Sequence, residues 1–135
     1  MNTITSFRDL LVWQKSMDLA VRCYQTAQRL PRADDMVLGY QIRKSSLSMP
    51  SNIAEGWSRH STPHYIQHLW TAHGSGGELE TQLEVGKRLK LVTANTAEIL
   101  IADAQEVGRM LNGLAQSLER TEGAYRRRWC LTPDA

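Results

Sequence analysis

The sequence of 135 residues is poor in the features that mark specialised classes of protein. Its only two cysteines, Cys23 and Cys130, are far apart and in no metal-ligand spacing. This spacing predicts a packed thiol and a tail thiol in a reducing compartment. No apolar run approaches the roughly 20 residues that cross a bilayer, and the N-terminal residues lack the basic and apolar regions of a signal peptide. These absences predict a cytoplasmic protein with no membrane partner.

Excess charge of either sign is also missing. Sixteen Lys and Arg face 14 Asp and Glu, a formal net charge of +2, which permits nucleic-acid contact but does not argue for it alone. The hydrophobic fraction of 41% is ordinary for a soluble globular protein. We expect one domain over residues 1–125 and a basic C-terminal tail over 126–135 that can fray or be disordered.

Hydrophobic periodicity predicts four helices and no strands. The first covers roughly residues 10–29, the second about 36–57, the third starts at Thr62-Pro63, and the fourth follows a short connection at 92–95. Short connections between long helices force antiparallel neighbours, so the expected fold is all-α, an up-down-up-down four-helix bundle. The predicted seams are Trp13, Met17, Ala20, Tyr24 and Ala27; Ile42, Ser46, Met49, Ile53 and Gly56; Tyr65, Leu69, Ala72, Gly76, Leu79, Leu83 and Gly86; and Leu100, Ala104, Val107, Leu111, Leu114 and Leu118.

Local signals refine the helix boundaries. Asp34 or Asp35 is expected to cap the second helix, and Thr62 the third, with Pro63 at the first helical position. Pro50 lies inside the second helix, where proline removes a backbone donor and crowds the carbonyl of Ser46. Because the seam continues in register through Ile53, we expect a kink rather than a break.

Small and polar residues occupy two stretches, 48–59 and 74–80, where a bundle would be expected to carry large apolar side chains. Gly74, Gly76 and Gly77 each cost roughly 1 kcal/mol relative to alanine in a helix. Close packing of a neighbour against the missing side chains is the favoured explanation, and a ligand resting on exposed backbone is the alternative. Asn52 is a poor residue inside a helix unless its amide is used.

A buried polar network between helices is therefore predicted from Asn52, Glu55, Arg59 and Glu78. We favour this structural role over catalysis, because no nucleophile–base motif and no phosphate loop is present. His64 and His68 share a helical face and His60 precedes them, but the paired Glu-x-x-His pattern of di-iron bundles is missing. The sequence therefore predicts no enzyme, no metal and no cofactor.

Basic residues form two groups besides the tail: Arg43 with Lys44, and Lys87, Arg88 with Lys90. They are the candidate nucleic-acid contacts, although a solvated face is the simpler interpretation. Repetition of such a group around an oligomer would multiply its attraction for RNA or DNA.

A family resemblance is carried by motifs that recur in order from Phe7 to Leu118. They are Phe7-Arg-Asp-Leu10, Val12-Trp13, Tyr24, Leu30-Pro31, Gln41-Ile-Arg43, the block Ser48-x-x-Ser-Asn-Ile-Ala-Glu-Gly56 with Arg59, Ala72-His-Gly-Ser75 and Glu78-Leu-Glu-Thr-Gln-Leu83. The chain resembles the bacterial four-helix bundle proteins of intervening sequences in large-subunit ribosomal RNA genes. These are similar to the accessory proteins of diversity-generating retroelements.

The resemblance implies a ring-shaped homopentamer without enzymatic activity. In the retroelement branch it implies a basic barrel that binds nucleic acid and a reverse transcriptase. By position, the family signature falls on Asn52, Glu55, Gly56, Arg59, Gly74, Ser75 and Glu78, where a structural or assembly role is expected. The resulting hypothesis is a non-enzymatic homo-oligomeric scaffold for RNA or a ribonucleoprotein. An adaptor that binds a polymerase or another protein is the alternative.

Overall fold

The computed structural model describes residues 3–130, with side chains to residue 123, and this part of the chain is all-helical. Four main helices account for it: α1 (Leu11–Ala27), α2 (Tyr40–Ser58), α3 (Thr62–Arg88) and α4 (Ala94–Cys130). A 3₁₀ turn at Phe7–Asp9 precedes α1. The predicted all-α four-helix bundle is confirmed.

Each helix packs against the next, and α4 closes the bundle against α1. Ion pairs from Arg22 to Asp103 and from Lys15 to Glu106 link those two helices. We call the end that carries the connections 28–39 and 89–93 the connection end. The other end carries the 59–61 turn and the N-terminal segment, and we call it the turn end.

Buried positions follow the predicted seams of α2, α3 and α4 closely. Ile42, Met49 and Ile53 of α2 are fully buried, as are Leu69, Leu79 and Leu83 of α3. In α4 the line continues through Leu100, Ala104, Val107 and Leu111. These three helices therefore form the core in the register that the periodicity predicts.

The predicted seam of α1 is right at Ala20 and Ala27, which are buried, and wrong by one residue at its other three positions. The buried residues are Val12, Ser16, Leu19, Ala20, Cys23 and Ala27, whereas Trp13 and Met17 lie at the edge of this line and Tyr24 is exposed. Both lines have steps of three and four residues, so spacing did not distinguish them. The larger side chains at the edge of the line cover the core instead of filling it.

The entry into α2 also differs from the prediction. A single helical turn at Arg32–Asp34 starts after Pro31, without a side-chain cap, and a π-helical turn at Asp35–Gly39 joins it to α2. The carboxylate of Asp35 accepts from Arg43 instead of capping the helix. The second helical segment therefore begins earlier than expected and carries one widened turn.

Pro50 lies inside α2 and is buried, and the helix continues through it to Ser58. Proline therefore does not interrupt α2. At the start of α3 the cap residue is Ser61 rather than Thr62, and Pro63 follows within the first turn.

Helix α4 ends at Cys130, so residues 126–130 of the predicted tail are helical. The remainder of that tail, 131–135, lies outside the described residues. Within the described part of the chain, no helix is long and apolar enough to cross a membrane.

Candidate functional site

Helices α2 and α3 approach each other closely at Gly56. A Cβ atom placed there would lie 2.8 Å from Cβ of His68 and 3.4 Å from Cα of Tyr65. Real side chains do not approach that closely, so only glycine fits between these residues without displacement. Gly56 thus brings His68 over α2, one turn from Asn52.

A chain of hydrogen bonds fills this approach. The amide nitrogen of Asn52 donates to the carbonyl and hydroxyl oxygens of Ser48, at 2.8 and 3.0 Å. The Ser48 hydroxyl bonds that of Ser75 on α3 at 2.8 Å. On its other side, Oδ1 of Asn52 lies 2.9 Å from Nδ1 of His68. We call Ser48, Asn52, His68 and Ser75 the polar cluster; it links α2 to α3 by paired rather than orphaned groups.

The hydrogen bonds of the polar cluster fix which nitrogen of His68 carries a proton. An amide oxygen only accepts, so Nδ1 of His68 is the donor to Asn52. In the neutral ring Nε2 is then an acceptor, and it faces Oε1 of Glu55 at 3.9 Å. A second proton on His68 would convert this contact into an ion pair.

Glu55 also accepts from Arg59 at 2.9 Å across one helical turn. That guanidinium, with a smaller contribution from His68, holds the pKa of the Glu55 carboxyl below its usual value. Both partners are largely exposed, so this pair adds little to stability. It is the solvent-facing border of the polar cluster.

The structure places Asn52, Glu55 and Arg59 around His68, but Glu55 and Arg59 are half exposed rather than buried. Glu78 is exposed on α3 and does not take part in the network. His68 occupies the place in the network that was expected for Glu78, and Ser75 and Ser48 join the network through their hydroxyls. The missed signal was spacing: His68 and Ser75 are seven residues apart on α3 and so share one face.

The predicted histidine group is divided in the structure. His64 bonds the hydroxyl of Ser61 at 2.9 Å, while His68 bonds Asn52. Among the described residues, no three His, Cys, Asp or Glu side chains form a group that could hold a metal ion. Burial raises the pKa of the Cys23 thiol to about 12, so this cysteine stays protonated at neutral pH and is a poor nucleophile.

The glycines of α3 differ in surroundings. At Gly76 an added Cβ would lie 3.2 Å from Cε of Met49, whereas at Gly74 and Gly77 it would meet no atom within 4 Å. All three glycines line a groove between α3 and α4, together with Gly108 and Arg109. Close packing of a neighbouring side chain therefore explains the glycine at position 76. At Gly74 and Gly77 no neighbouring atom of the chain supports that explanation.

Three of the five basic candidates are engaged by carboxylates of the same chain. Arg43 pairs with Asp35, Lys87 with Glu98 and Glu84, and Arg88 with Glu84. Lys44 and Lys90 are exposed and form no ion pair with a described residue. These internal pairs reduce the attraction of the two basic groups for a polyanion.

Large apolar side chains are exposed at the connection end. Met36 and Val37 are 71% and 70% exposed, and Leu89 is 64% exposed. Leu38 packs against Gly86, which places the residues before α2 beside the end of α3. We call the exposed residues that flank this contact the apolar patch: Met36, Val37, Tyr40, Val85 and Leu89. Exposed apolar groups of this extent commonly mark a surface that another protein covers.

Known proteins resemble the chain in both sequence and fold. The family model described as 23S rRNA-intervening sequence protein matches residues 8–113. A crystal structure of a protein of unknown function, from the S23 ribosomal protein family of Bacteroides thetaiotaomicron, is 27% identical. It superposes with a TM-score of 0.71 over 78% of this chain and 98% of its own. No curated protein matches the chain.

Proposed function

Because the chain belongs to the 23S rRNA-intervening sequence protein family, we propose that it is a non-enzymatic scaffold that self-associates and binds RNA through its assembled form. The observation that carries the self-association is the apolar patch, whose residues are 42–71% exposed. Burying such surface between copies is favourable by roughly 25 cal/mol per Å². The ring of five subunits implied by the family resemblance is the expected assembly.

The RNA part of the proposal rests on Lys44 and Lys90. Lys44 follows Tyr40 of the apolar patch by one helical turn, and Lys90 directly follows Leu89, so an assembly built on the patch repeats both lysines near each contact. Of the five basic candidates, one subunit offers only these two lysines without an ion pair to a described residue, but each added subunit contributes the same pair. The salt dependence of affinity grows with the number of phosphates contacted.

Solution mass tests the self-association. The full chain should have a mass that is a multiple of 15.3 kDa, measured by light scattering. Val37→Glu places a charge in the patch and should reduce the mass, whereas Leu11→Glu, at a position 57% exposed on α1, should not. A monomeric full chain would refute the scaffold.

Fluorescence anisotropy with a labelled RNA hairpin tests the second part. Binding should weaken with salt, and Lys44→Ala with Lys90→Ala should lower the slope of log K against log salt. Arg43→Ala with Arg88→Ala is the matched control, since those side chains already have carboxylate partners. An equal or larger loss in the control variant would contradict the assignment.

A protein-binding adaptor is the second candidate function. The observation that favours it is the pairing of Arg43, Lys87 and Arg88 with carboxylates, which leaves the surface weakly charged. A multimeric protein that fails to bind RNA even at low salt would select this alternative. Its partner would be a protein, such as a polymerase or a reverse transcriptase, that contacts the patch or the groove between α3 and α4.

A further inference from the structure

Three residues of the first two family motifs, Phe7, Arg8 and Trp13, meet on the surface at the turn end. The rings of Phe7 and Trp13 lie edge to face, with centroids 5.3 Å apart. The guanidinium carbon of Arg8 lies over both rings, 5.5 Å from the centroid of Phe7 and 5.6 Å from that of Trp13. Both distances are within the range of a cation–π contact, about 6 Å. We call these three residues the arginine stack.

The main chain and the core hold the arginine stack in place. The N–H of Arg8 donates to the hydroxyl of Ser6 at 3.2 Å, and its carbonyl accepts from the side-chain amide of Gln14 at 2.9 Å. Phe7 and Trp13 are half-buried and pack against the hydrophobic core. A ligand that binds Arg8 therefore does not have to order this segment, which lowers the cost of binding.

The charge of Arg8 has no acidic partner in the described part of the chain. The adjacent carboxylate, that of Asp9, instead accepts from the backbone N–H groups of Thr5 and Ser6 and from the hydroxyl of Thr5. Arg8 itself is exposed, so the side of its guanidinium that is turned away from the rings faces solvent. The arginine stack thus presents a planar cation on a fixed aromatic base.

We propose that Arg8 is a contact for an unpaired base of RNA, which stacks on the guanidinium on the side away from Phe7 and Trp13. Unpaired bases of RNA are commonly recognised by stacking on aromatic rings and on arginine guanidinium planes. The planar, weakly hydrated guanidinium suits this role better than the compact ammonium group of lysine. An acidic peptide would need the charge of Arg8 but not its flat aromatic base, so the arrangement favours RNA.

This inference rests on the RNA binding proposed above and adds a contact of a different kind. Lys44 and Lys90 lie toward the connection end, where they would contact phosphates. Arg8 lies at the turn end, separated from them by the length of α1, a helix of 17 residues and about 25 Å. The lysines therefore govern the salt dependence of binding, and Arg8 governs the preference for unpaired over paired RNA.

Fluorescence anisotropy with two labelled RNAs tests this contact: a single-stranded oligouridylate and a blunt duplex without unpaired bases. Arg8→Lys keeps the charge but removes the planar group, so affinity for the oligouridylate should fall about tenfold, as expected for the loss of one stacked base. Affinity for the duplex, and the slope of log K against log salt, should stay at the parent values.

Arg29→Lys is the matched control. It makes the same change at an exposed arginine of the connection end that forms no ion pair with a described residue, and it should bind both RNAs like the parent. Both variants should keep the helical circular dichroism of the parent, because the two side chains are exposed.

A loss confined to Arg8→Lys and to the oligouridylate supports the stacked base. An unchanged affinity of Arg8→Lys for the oligouridylate overturns it, and so does an equal loss on the duplex or in Arg29→Lys. A parent that binds the duplex alone overturns this inference and leaves the proposed function standing. A parent that binds neither RNA at low salt overturns both this inference and the RNA part of the proposed function.

Discussion

The α2–α3 and α3–α4 interfaces use glycine in opposite ways. Between α2 and α3, a methyl group at Gly56 would collide with His68 and Tyr65, and one at Gly76 would press on Met49. Between α3 and α4, Gly74 and Gly77 face open space although each carries the same helix penalty of roughly 1 kcal/mol. Packing within one chain therefore explains the first pair of glycines and not the second.

The same contrast separates the polar groups. At α2–α3 the side chains of Ser48 and Asn52 bond Ser75 and His68 across the interface, so the contact is specified by both shape and hydrogen bonding. The α3–α4 groove has no equivalent chain of bonds along Gly74 and Gly77. The first interface is complete in a single subunit, and the second keeps an accessible surface.

The largest expected effect is that of a bulky side chain at the close approach. Gly56→Leu should lower the free energy of unfolding by about 3 kcal/mol, because overpacking against the backbone of Tyr65 forces α2 and α3 apart. Urea denaturation followed by circular dichroism measures it. Gly74→Leu is the matched control and should be neutral or mildly stabilising. Equal destabilisation by both variants would remove the contrast between the interfaces.

Removal of the central amide of the polar cluster should have the next largest effect. Asn52→Ala leaves Nδ1 of His68 without its acceptor and removes one of the two hydrogen bonds of the Ser48 hydroxyl, which keeps its bond to Ser75. We therefore expect a loss of about 1–2 kcal/mol in unfolding free energy.

A double-mutant cycle separates this hydrogen bond from a general packing effect. Asn52→Ala and His68→Ala, singly and together, should show a coupling energy of about 1 kcal/mol. Additive losses would mean that the 2.9 Å contact between Asn52 and His68 does not contribute to stability.

Alanine in the open groove should act in the opposite direction. Gly74→Ala and Gly77→Ala should each raise the free energy of unfolding by about 0.5–1 kcal/mol, since the helix penalty is removed and no atom lies in the way. Thermal denaturation at a protein concentration low enough to favour the single chain measures this. Destabilisation that grows with protein concentration would instead show that another molecule packs against these glycines.

Much of the fold followed from the sequence, because α2, α3 and α4 each have only one continuous apolar line. Helix α1 has two lines of similar spacing, and the one with the larger residues, Trp13 and Met17, was the wrong choice. The π-helical turn at Asp35–Gly39 had no signal that spacing could reveal. It accompanies a pairing between Asp35 and Arg43 eight residues apart.

The candidate site was predictable only in part. Asn52 attracted attention because asparagine is unfavourable within a helix, and Glu55 with Arg59 followed from four-residue spacing. The cross-helix partners depend on the relative rotation and offset of α2 and α3, which a single sequence does not give. His68 was therefore considered only as a metal ligand, and Glu78 was placed in a network that it does not join.

The smallest expected effect concerns acid stability at the exposed border of the α2–α3 interface. Because Arg59 and then His68 lower the pKa of the Glu55 carboxyl, the folded chain binds fewer protons there than the unfolded chain. The contribution of Glu55 is therefore present above the unfolded pKa near 4.5 and is lost as pH falls through the folded pKa. With Glu55→Gln, the free energy of unfolding should depend less steeply on pH below about 5, and its dependence on pH near 7 should be unchanged. Glu78→Gln is the control, since Glu78 is exposed on α3 outside the network. Equal flattening in both variants would mean that the Arg59–Glu55–His68 border adds nothing specific to the interface.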